Sequence, residues 1–320
     1  MKVALVVCTH NRSEVLSSTL DSLNEQTKPE DLDLEVIVVA NACTDATLDV
    51  SNRHVMGRAV KVLVEPKPGL SHARNIALEY CLTAGFSWLI WSDDDVLFGE
   101  QYLKSYHRVF SDPLPTPVIG GRILPHFVAP SPDWLGAAIG ALGIAIFSCL
   151  DHGNESALVP VSRGQPFGAN MAIRLCDVGS LRFDPNWGVT PTRKLGFEET
   201  IFIDDLLGAG SNWHYEPQAL VEHVMPVRRQ SRAAISQYLG AQGYASALRE
   251  SPDPTMSQLF GKPRWTYRAL AVRWFHVQRW SLSKRNSEEY FSAWASFEIM
   301  KGYRRAFSDS GSADLKGLIR

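Results

Sequence analysis

No run in this sequence is long and apolar enough to cross a bilayer. The longest, Leu135 to Leu150, falls short of the roughly 20 residues a spanning helix needs and is rich in Gly and Ala. Charge of one sign is missing too: the formal net charge is -2 over 320 residues, which gives no support to nucleic-acid binding as the main task. The five cysteines, Cys8, Cys43, Cys81, Cys149 and Cys176, are odd in number, scattered and without a C-x-x-C pair. That points to a reducing compartment and to no structural zinc. The N-terminus enters a strand after a single Lys, so no signal peptide is expected. Two phosphate-binding signatures are also absent. There is no G-x-x-x-x-G-K-[ST], no G-x-G-x-x-G follows the first strand, and the segment from Gly136 to Gly143 has neither the spacing nor a preceding strand. P-loop NTPases and dinucleotide dehydrogenases are therefore disfavoured. The expectation is a soluble, cytoplasmic protein, with contact at a membrane surface left open.

What is present is an ordinary folded composition, 45% apolar and 21% charged. The first hundred residues alternate strand and helix. Val3 to Cys8 is a continuous apolar run, as expected of a parallel strand covered on both faces. A helix from about Ser13 sets Val15, Leu16, Thr19, Leu20 and Leu23 on one face. Leu34 to Val39 and Val60 to Val64 read as further strands, the stretch from about Ser71 through Leu82 as a helix, and Trp88 to Ser92 as the strand that closes the unit. Such alternation implies a parallel sheet with right-handed crossovers and a nucleotide-binding α/β architecture.

That last strand stops on three acids, Asp93, Asp94 and Asp95. Two unit charges ~4 Å apart repel by about 4 kcal/mol at an effective dielectric of ~20. Either protons are taken up or a cation sits there. Mg2+ and Mn2+ take oxygen ligands and leave positions for phosphate oxygens, and ligands of open α/β sheets bind at the carboxyl ends of strands. A turn whose aspartates cap the next helix fits this stretch alone equally well. Other strand ends carry polar groups suited to a nucleotide: Thr9, Asn11 and Arg12; Asn41 and Asp45; and Arg74 on the helix.

Taken in order, Val6 to Arg12, Glu35 to Thr47, Gly69 to Asn75 and Ser92 to Asp95 resemble the successive signatures of family 2 glycosyltransferases. The likeness continues through Gly168 to Arg174, Phe183-Asp184, Gly196 to Glu199 and Val221 to His223, and so covers roughly residues 2 to 230. It implies a GT-A fold, a Rossmann-like nucleotide-binding sheet with helices on both faces. It also implies an inverting, metal-dependent transfer of a sugar from a nucleoside-diphosphate sugar to an acceptor hydroxyl, in polysaccharide or glycoconjugate biosynthesis. The acceptor would be a glycan or a lipid-linked molecule.

By the same resemblance Thr9 and Asn11 line the nucleoside pocket with Arg12 beside it. Asn41 stands where the family often has an Asp that reads the base, Arg74 meets nucleotide or diphosphate, and Asp93 and Asp94 bind ribose and metal-bound water. Asp95 holds Mg2+ or Mn2+, and His223 joins the metal or diphosphate. Asn170 offers its amide to sugar hydroxyls. Where the family has Glu-Asp, this chain has Glu198-Glu199, so Glu199 takes the place of the catalytic base. The plainer alternatives are a first-turn acid on a helix dipole for Glu199, a surface arginine for Arg74 and an ordinary hydrogen-bonded histidine for His223. The loop with Trp187 and Gly188 reads as a lid or acceptor contact.

Past Pro226 the pattern turns helical: Ala233 to Arg249, Arg264 to Arg285 and about Glu288 to Phe307, with a break at Ser251 to Pro254 and a tail from Ser308 to Ser312. The expected division is residues 1–228 for the transferase domain and 229–320 for a C-terminal helical region. Trp265, Trp274, Trp280 and Trp294 lie among many basic residues there. Both an interfacial role and plain packing, on the sheet or on a second copy of the chain, remain open. The competing functions are a sugar-phosphate nucleotidyltransferase, which would need a Gly-rich loop after the first strand, and a non-catalytic nucleotide- or glycan-binding partner of a synthase.

Overall fold

The computed structural model describes residues 1–190, 194–208, 210–250 and 257–309. In chain order the main elements are β1 (Lys2–Thr9), α1 (Ser13–Asn24), β2 (Asp33–Asn41), β3 (Lys61–Glu65), α2 (Leu70–Thr83), β4 (Trp88–Asp93) and β5 (Val96–Phe98). They continue with α3 (Tyr102–Ser111), β6 (Val118–Phe127), α4 (Leu135–Leu142), β7 (Ala157–Pro160), β8 (Asn170–Arg174), α5 (Glu198–Leu207) and β9 (Asn212–Met225). The last three are α6 (Arg232–Arg249), α7 (Arg264–Ser283) and α8 (Glu288–Asp309).

The central sheet runs β3-β2-β1-β4-β8-β6-β9-β5, with β7 added on β9. The half read from sequence, β3-β2-β1-β4, is parallel. The middles of β1, β2 and β4 are apolar because both faces are covered, with Val3 to Val7, Ile37 to Ala40 and Trp88 to Trp91 all buried, while β3 is a partly exposed edge strand. The other half is not parallel. β8 pairs antiparallel with both β4 and β6, and β9 pairs antiparallel with β5 and β7. The sheet is therefore mixed. Along much of β9 buried residues alternate with more exposed ones, as on a strand with one wet face, a weaker sequence signal than the buried parallel runs.

By contacts the chain forms two compact units. The first comprises Met1–His126 and Ser148–Val224, the second Phe127–Phe147 and Met225–Arg320. The second unit thus takes in an excursion ahead of residue 229, and the Gly/Ala-rich apolar stretch inside it becomes α4 followed by a 3-10 turn at Ile144–Phe147. Here α8 packs on α6, α7 and α4. Glycine decides how closely: a Cβ on Gly243 would overlap the backbone of Ile299, and one on Gly302 the backbone of Gly240. The Arg232 guanidinium lies over the rings of Trp134, Tyr290 and Phe291, at 5.0, 5.4 and 5.1 Å from their centroids. No described helix is long and apolar enough to cross a membrane. The break expected at Ser251 to Pro254 lies outside the described residues. Of the expected tail, Ser308 and Asp309 complete α8, and the rest lies outside the described residues.

Candidate active site

Strand pairing assembles the site. β1 and β4 run side by side in register, Cys8 opposite Asp93, so Thr9, Arg12 and the aspartate triplet leave the sheet at the same edge. Two residues later β5 takes up β9 as its partner, with Val96 opposite His223, and the Val224 N–H donates to the Asp95 carbonyl at 2.8 Å. That pairing delivers a histidine from the end of the first unit to the end of β4.

The three aspartates do different things. Asp94 is buried and turns toward β1 and α1: it accepts from Thr9 Oγ1 at 2.6 Å and from Arg12 Nη1 at 2.5 Å, while its carbonyl accepts from Thr19 Oγ1 at 2.7 Å. Burial pushes its carboxyl up to about 7 against the pull of Arg12. Thr9, Arg12 and Asp94, expected at the nucleotide, instead form an internal brace. Thr9 and Arg12 Nη1 both donate to Asp94, and Arg12 Nη2 donates to Asp95.

Asp95 accepts from Arg12 Nη2 at 2.7 Å and lies 3.0 Å, by Oδ1, from His223 Nε2. Burial alone would raise its carboxyl, but His223 and Arg12 together hold it well below the ordinary carboxylate range. At Asp93 the pull of His223 and Arg74 is outweighed. Its carboxylate makes no hydrogen bond or ion pair with the described residues. Burial and then the charge of Asp95 push it up. Asp93, Asp95 and His223 each offer a ligand atom, all within 4.8 Å of one another. Two carboxylates and an imidazole form a donor set that suits Mn2+ or Mg2+, and a dication there would relieve the strain on Asp93. The triplet supplies the first and third acids to that cluster, because the middle one faces the other way.

A second group lies against it. Arg74, on α2, is only 2% exposed. It donates from Nη1 to Glu198 Oε1 at 2.9 Å and from Nη2 to Glu199 Oε1 at 3.2 Å. Glu199 also accepts the Gly168 N–H at 2.7 Å through Oε2. Arg74 therefore serves the two glutamates, where sequence placed it on the diphosphate. Gly168 has no side chain for the same reason: a Cβ would collide with Arg74 Nη2 and stand 2.9 Å from Glu199 Oε2. What approaches this backbone is the protein's own ion pair. Glu198, to which the sequence reading gave no role, joins Arg74 and Glu199 in this cluster. It is buried, its Oε2 has no partner among the described residues, and burial raises its carboxyl to about 7. Two adjacent acids opening a helix were the available signal. Phe197, just before them, adopts φ +88°, strained for a bulky side chain and typical of a position the surroundings over-determine. The charges of Glu199 and Arg74 both bear on Asp93.

Other expected residues are placed elsewhere. Asn41 donates to the carbonyls of Glu65 and Lys67 at 3.1 and 2.7 Å and accepts from the Gly69 N–H at 2.9 Å. It ties the end of β3 to the start of α2, and its amide is not free to read a base. Asn170 is fully buried. It accepts from Tyr106 Oη at 2.7 Å and donates to the carbonyls of Arg122 and Ala219 at 3.0 and 2.6 Å. It locks the antiparallel half of the sheet, and no donor is left for a sugar. Asn11 is exposed at the rim, φ +51°, and its Oδ1 gathers the N–H groups of Thr44 and Asp45. Trp187 is buried, with its carbonyl held by Ser71 Oγ at 2.6 Å, which removes it from the role of an open lid.

Comparison with known proteins bears on the family and the fold. Residues 4–134 match the model of Glycosyl transferase family 2. The poly(ribitol-phosphate) beta-glucosyltransferase of Bacillus spizizenii is 31% identical over 110 residues, covering 33% of this chain and 17% of that protein. Validoxylamine A glucosyltransferase of Streptomyces hygroscopicus subsp. limoneus is 32% identical over 122 residues, 37% of this chain and 26% of that one. The chain thus spans about a quarter or less of these relatives. Among solved structures, a mannosyltransferase from Pyrobaculum calidifontis in complex with GDP-Man and Mn2+ aligns with a TM-score of 0.51 at 17% identity, over 99% of this chain and 78% of that one. Residues 1–349 of S. aureus TarS align with a TM-score of 0.50 at 16% identity, over 97% and 91%. At such identities the structural likeness speaks for the fold. Over residues 4–134 the chain is similar to glycosyl transferase family 2, and its fold is of the GT-A type.

Proposed function

We propose that this chain is an inverting glycosyltransferase that moves a sugar from a nucleoside-diphosphate sugar to the hydroxyl of a glycan or lipid-linked acceptor. The observation that carries the reading is the pairing of a metal-competent cluster, Asp93, Asp95 and His223, with a carboxylate held beside it, Glu199. A divalent ion bound by those three residues would neutralise charge on the departing diphosphate. Glu199, less buried than its neighbour, takes the acceptor proton as general base. Gly168 and Arg74 fix the direction of its carboxylate, which matters because misplacement by ~1 Å costs on the order of a hundredfold in rate. Direct attack from the face opposite the diphosphate inverts the anomeric centre. The relative named for poly(ribitol-phosphate) and the neighbour holding GDP-Man and Mn2+ support this class of donor and of acceptor. A cytoplasmic place in polysaccharide or glycoconjugate assembly fits the reading.

The test is release of nucleoside diphosphate from a panel of UDP-, GDP- and dTDP-sugars, with Mn2+ or Mg2+ and again with EDTA. Metal-dependent release from at least one donor is the expected result. Absence of both release and binding across the panel overturns the reading, and formation of pyrophosphate from a nucleoside triphosphate and a sugar 1-phosphate replaces it with nucleotidyl transfer.

A further inference from the structure

The second unit presents an exposed surface to which the proposed transfer assigns no residue. Helix α7 packs against α8 through a row that includes Thr266, Arg273 and Val277, and Arg273 Nε donates to Ser296 Oγ at 2.9 Å. The outward row, Arg268, Val272, Phe275, Arg279 and Leu282, repeats every three to four residues and is the opposite face. Phe275 is 65% exposed and Leu282 88%. Trp265, Val272 and Trp274 are each exposed as well, and Trp274 lies edge-on to Phe275 at 5.1 Å. Ahead of the helix a tight hairpin pairs Gln258–Leu259 with Lys262–Pro263 and carries Phe260 at its tip, 86% exposed and at φ +48°. Tyr267 Oη holds the hairpin to the first turns of the helix through the Leu259 carbonyl, at 2.7 Å.

The charge on this stretch is of one sign. From Lys262 to Arg285 there are seven cations, Lys262, Arg264, Arg268, Arg273, Arg279, Lys284 and Arg285, and no acid, in a chain whose net charge is -2. A globular helix places its apolar residues inward; this one sets large apolar and aromatic side chains outward among arginines. Four arginines within twenty residues exclude a spanning helix. Pairing of this face with the same face of a second copy would bring like charges together across a two-fold axis. What matches both the charge and the exposed rings is an anionic lipid surface. Phosphate headgroups take the guanidinium groups, and Phe, Leu and Trp settle at the boundary of headgroup and acyl chain.

We propose that α7 and the preceding hairpin form an interfacial element that lies in the plane of an anionic bilayer. Vesicle binding by this surface stands whether or not the first unit transfers a sugar. The experiment is co-sedimentation of the full chain with vesicles of phosphatidylcholine alone and with phosphatidylglycerol added, at rising salt, alongside Phe275→Ser with Leu282→Ser and, separately, Arg268→Glu with Arg279→Glu. The unmodified chain should bind the anionic vesicles, weaken with salt and show blue-shifted Trp emission. Each double variant should lose about tenfold or more in partitioning while keeping the thermal unfolding midpoint. No binding by the unmodified chain, or equal binding by folded variants, overturns the proposal. So does a dimer in sedimentation equilibrium that the variants dissolve without any vesicle binding. The salt titration of the unmodified chain decides the matter even where a variant does not fold.

Discussion

His223 Nε2 lies 3.0 Å from Asp95 Oδ1 although one residue ends the first unit's last strand and the other follows β4. The contact exists because β5 and β9 pair in a single register, Val96 opposite His223. A slip of one residue would turn the imidazole to the other face of the sheet. Replacing His223 with Ala should therefore leave the fold intact and weaken the apparent affinity for Mn2+ by about 10- to 100-fold. Activity as a function of metal concentration measures it. An unchanged metal midpoint would remove His223 from the ligand set.

Glu199→Gln keeps the size of the side chain and its bond to the Gly168 N–H but cannot take a proton. Turnover should fall by about 100-fold or more with little change in nucleotide affinity. Steady-state kinetics beside calorimetric titration of the nucleoside diphosphate separates the two effects. Full turnover would exclude Glu199 as base.

Gly168→Ala tests the support of that base. The added methyl group would collide with Arg74 Nη2 and stand 2.9 Å from Glu199 Oε2, so the ion pair must move. The expectation is a loss of turnover near ~100-fold with nucleotide binding nearly unchanged. A variant as active as the parent would mean that the position of Glu199 is not critical.

The Glu198 carboxyl stands at about 7 in the folded chain against an ordinary 4.5. Burial is the main cause; Arg74 opposes it and Glu199 adds to it. Between those two pH values the folded chain binds more protons than the unfolded chain, so this group makes stability fall as pH rises and adds no further slope above about 7. Urea midpoints at pH 5 and pH 8, in EDTA, should differ less in Glu198→Gln than in the parent. Identical pH slopes would show that Glu198 is not the group responsible.

Arg12 binds Asp94 and Asp95 together, at 2.5 and 2.7 Å. Removing it leaves two buried carboxylates without the cation they share. A fully buried pair broken in this way costs about 3–5 kcal/mol. The Arg12 side chain is 34% exposed, so Arg12→Ala should cost nearer ~1–2 kcal/mol after solvent screening. Chemical denaturation measures it, and a variant as stable as the parent would show that water replaces the guanidinium.

By itself the sequence determined the parallel half of the sheet and the position of the chemistry. Strands buried on both faces must be apolar throughout, so Val3 to Cys8, Leu34 to Val39 and Trp88 to Ser92 announce themselves, and Asp93 to Asp95 can only lie at the edge where β4 ends. The order of short motifs, by the resemblance it carries, also pointed to Arg74, Glu199 and His223 as candidates for one site. Tertiary structure alone decided which way each side chain faces and what its polar atoms already hold. Asn41 and Asn170 look like ligand-binding amides in the chain, but the fold surrounds each with groups that must be satisfied: backbone groups bond Asn41, and backbone carbonyls with the Tyr106 hydroxyl bond Asn170. Asp94 and Asp95 are neighbours in sequence, yet the turn after β4 sends one to Arg12 and Thr9 and the other to His223. Local pattern records burial and period; a hydrogen-bond partner far along the chain is chosen only when the sheet closes.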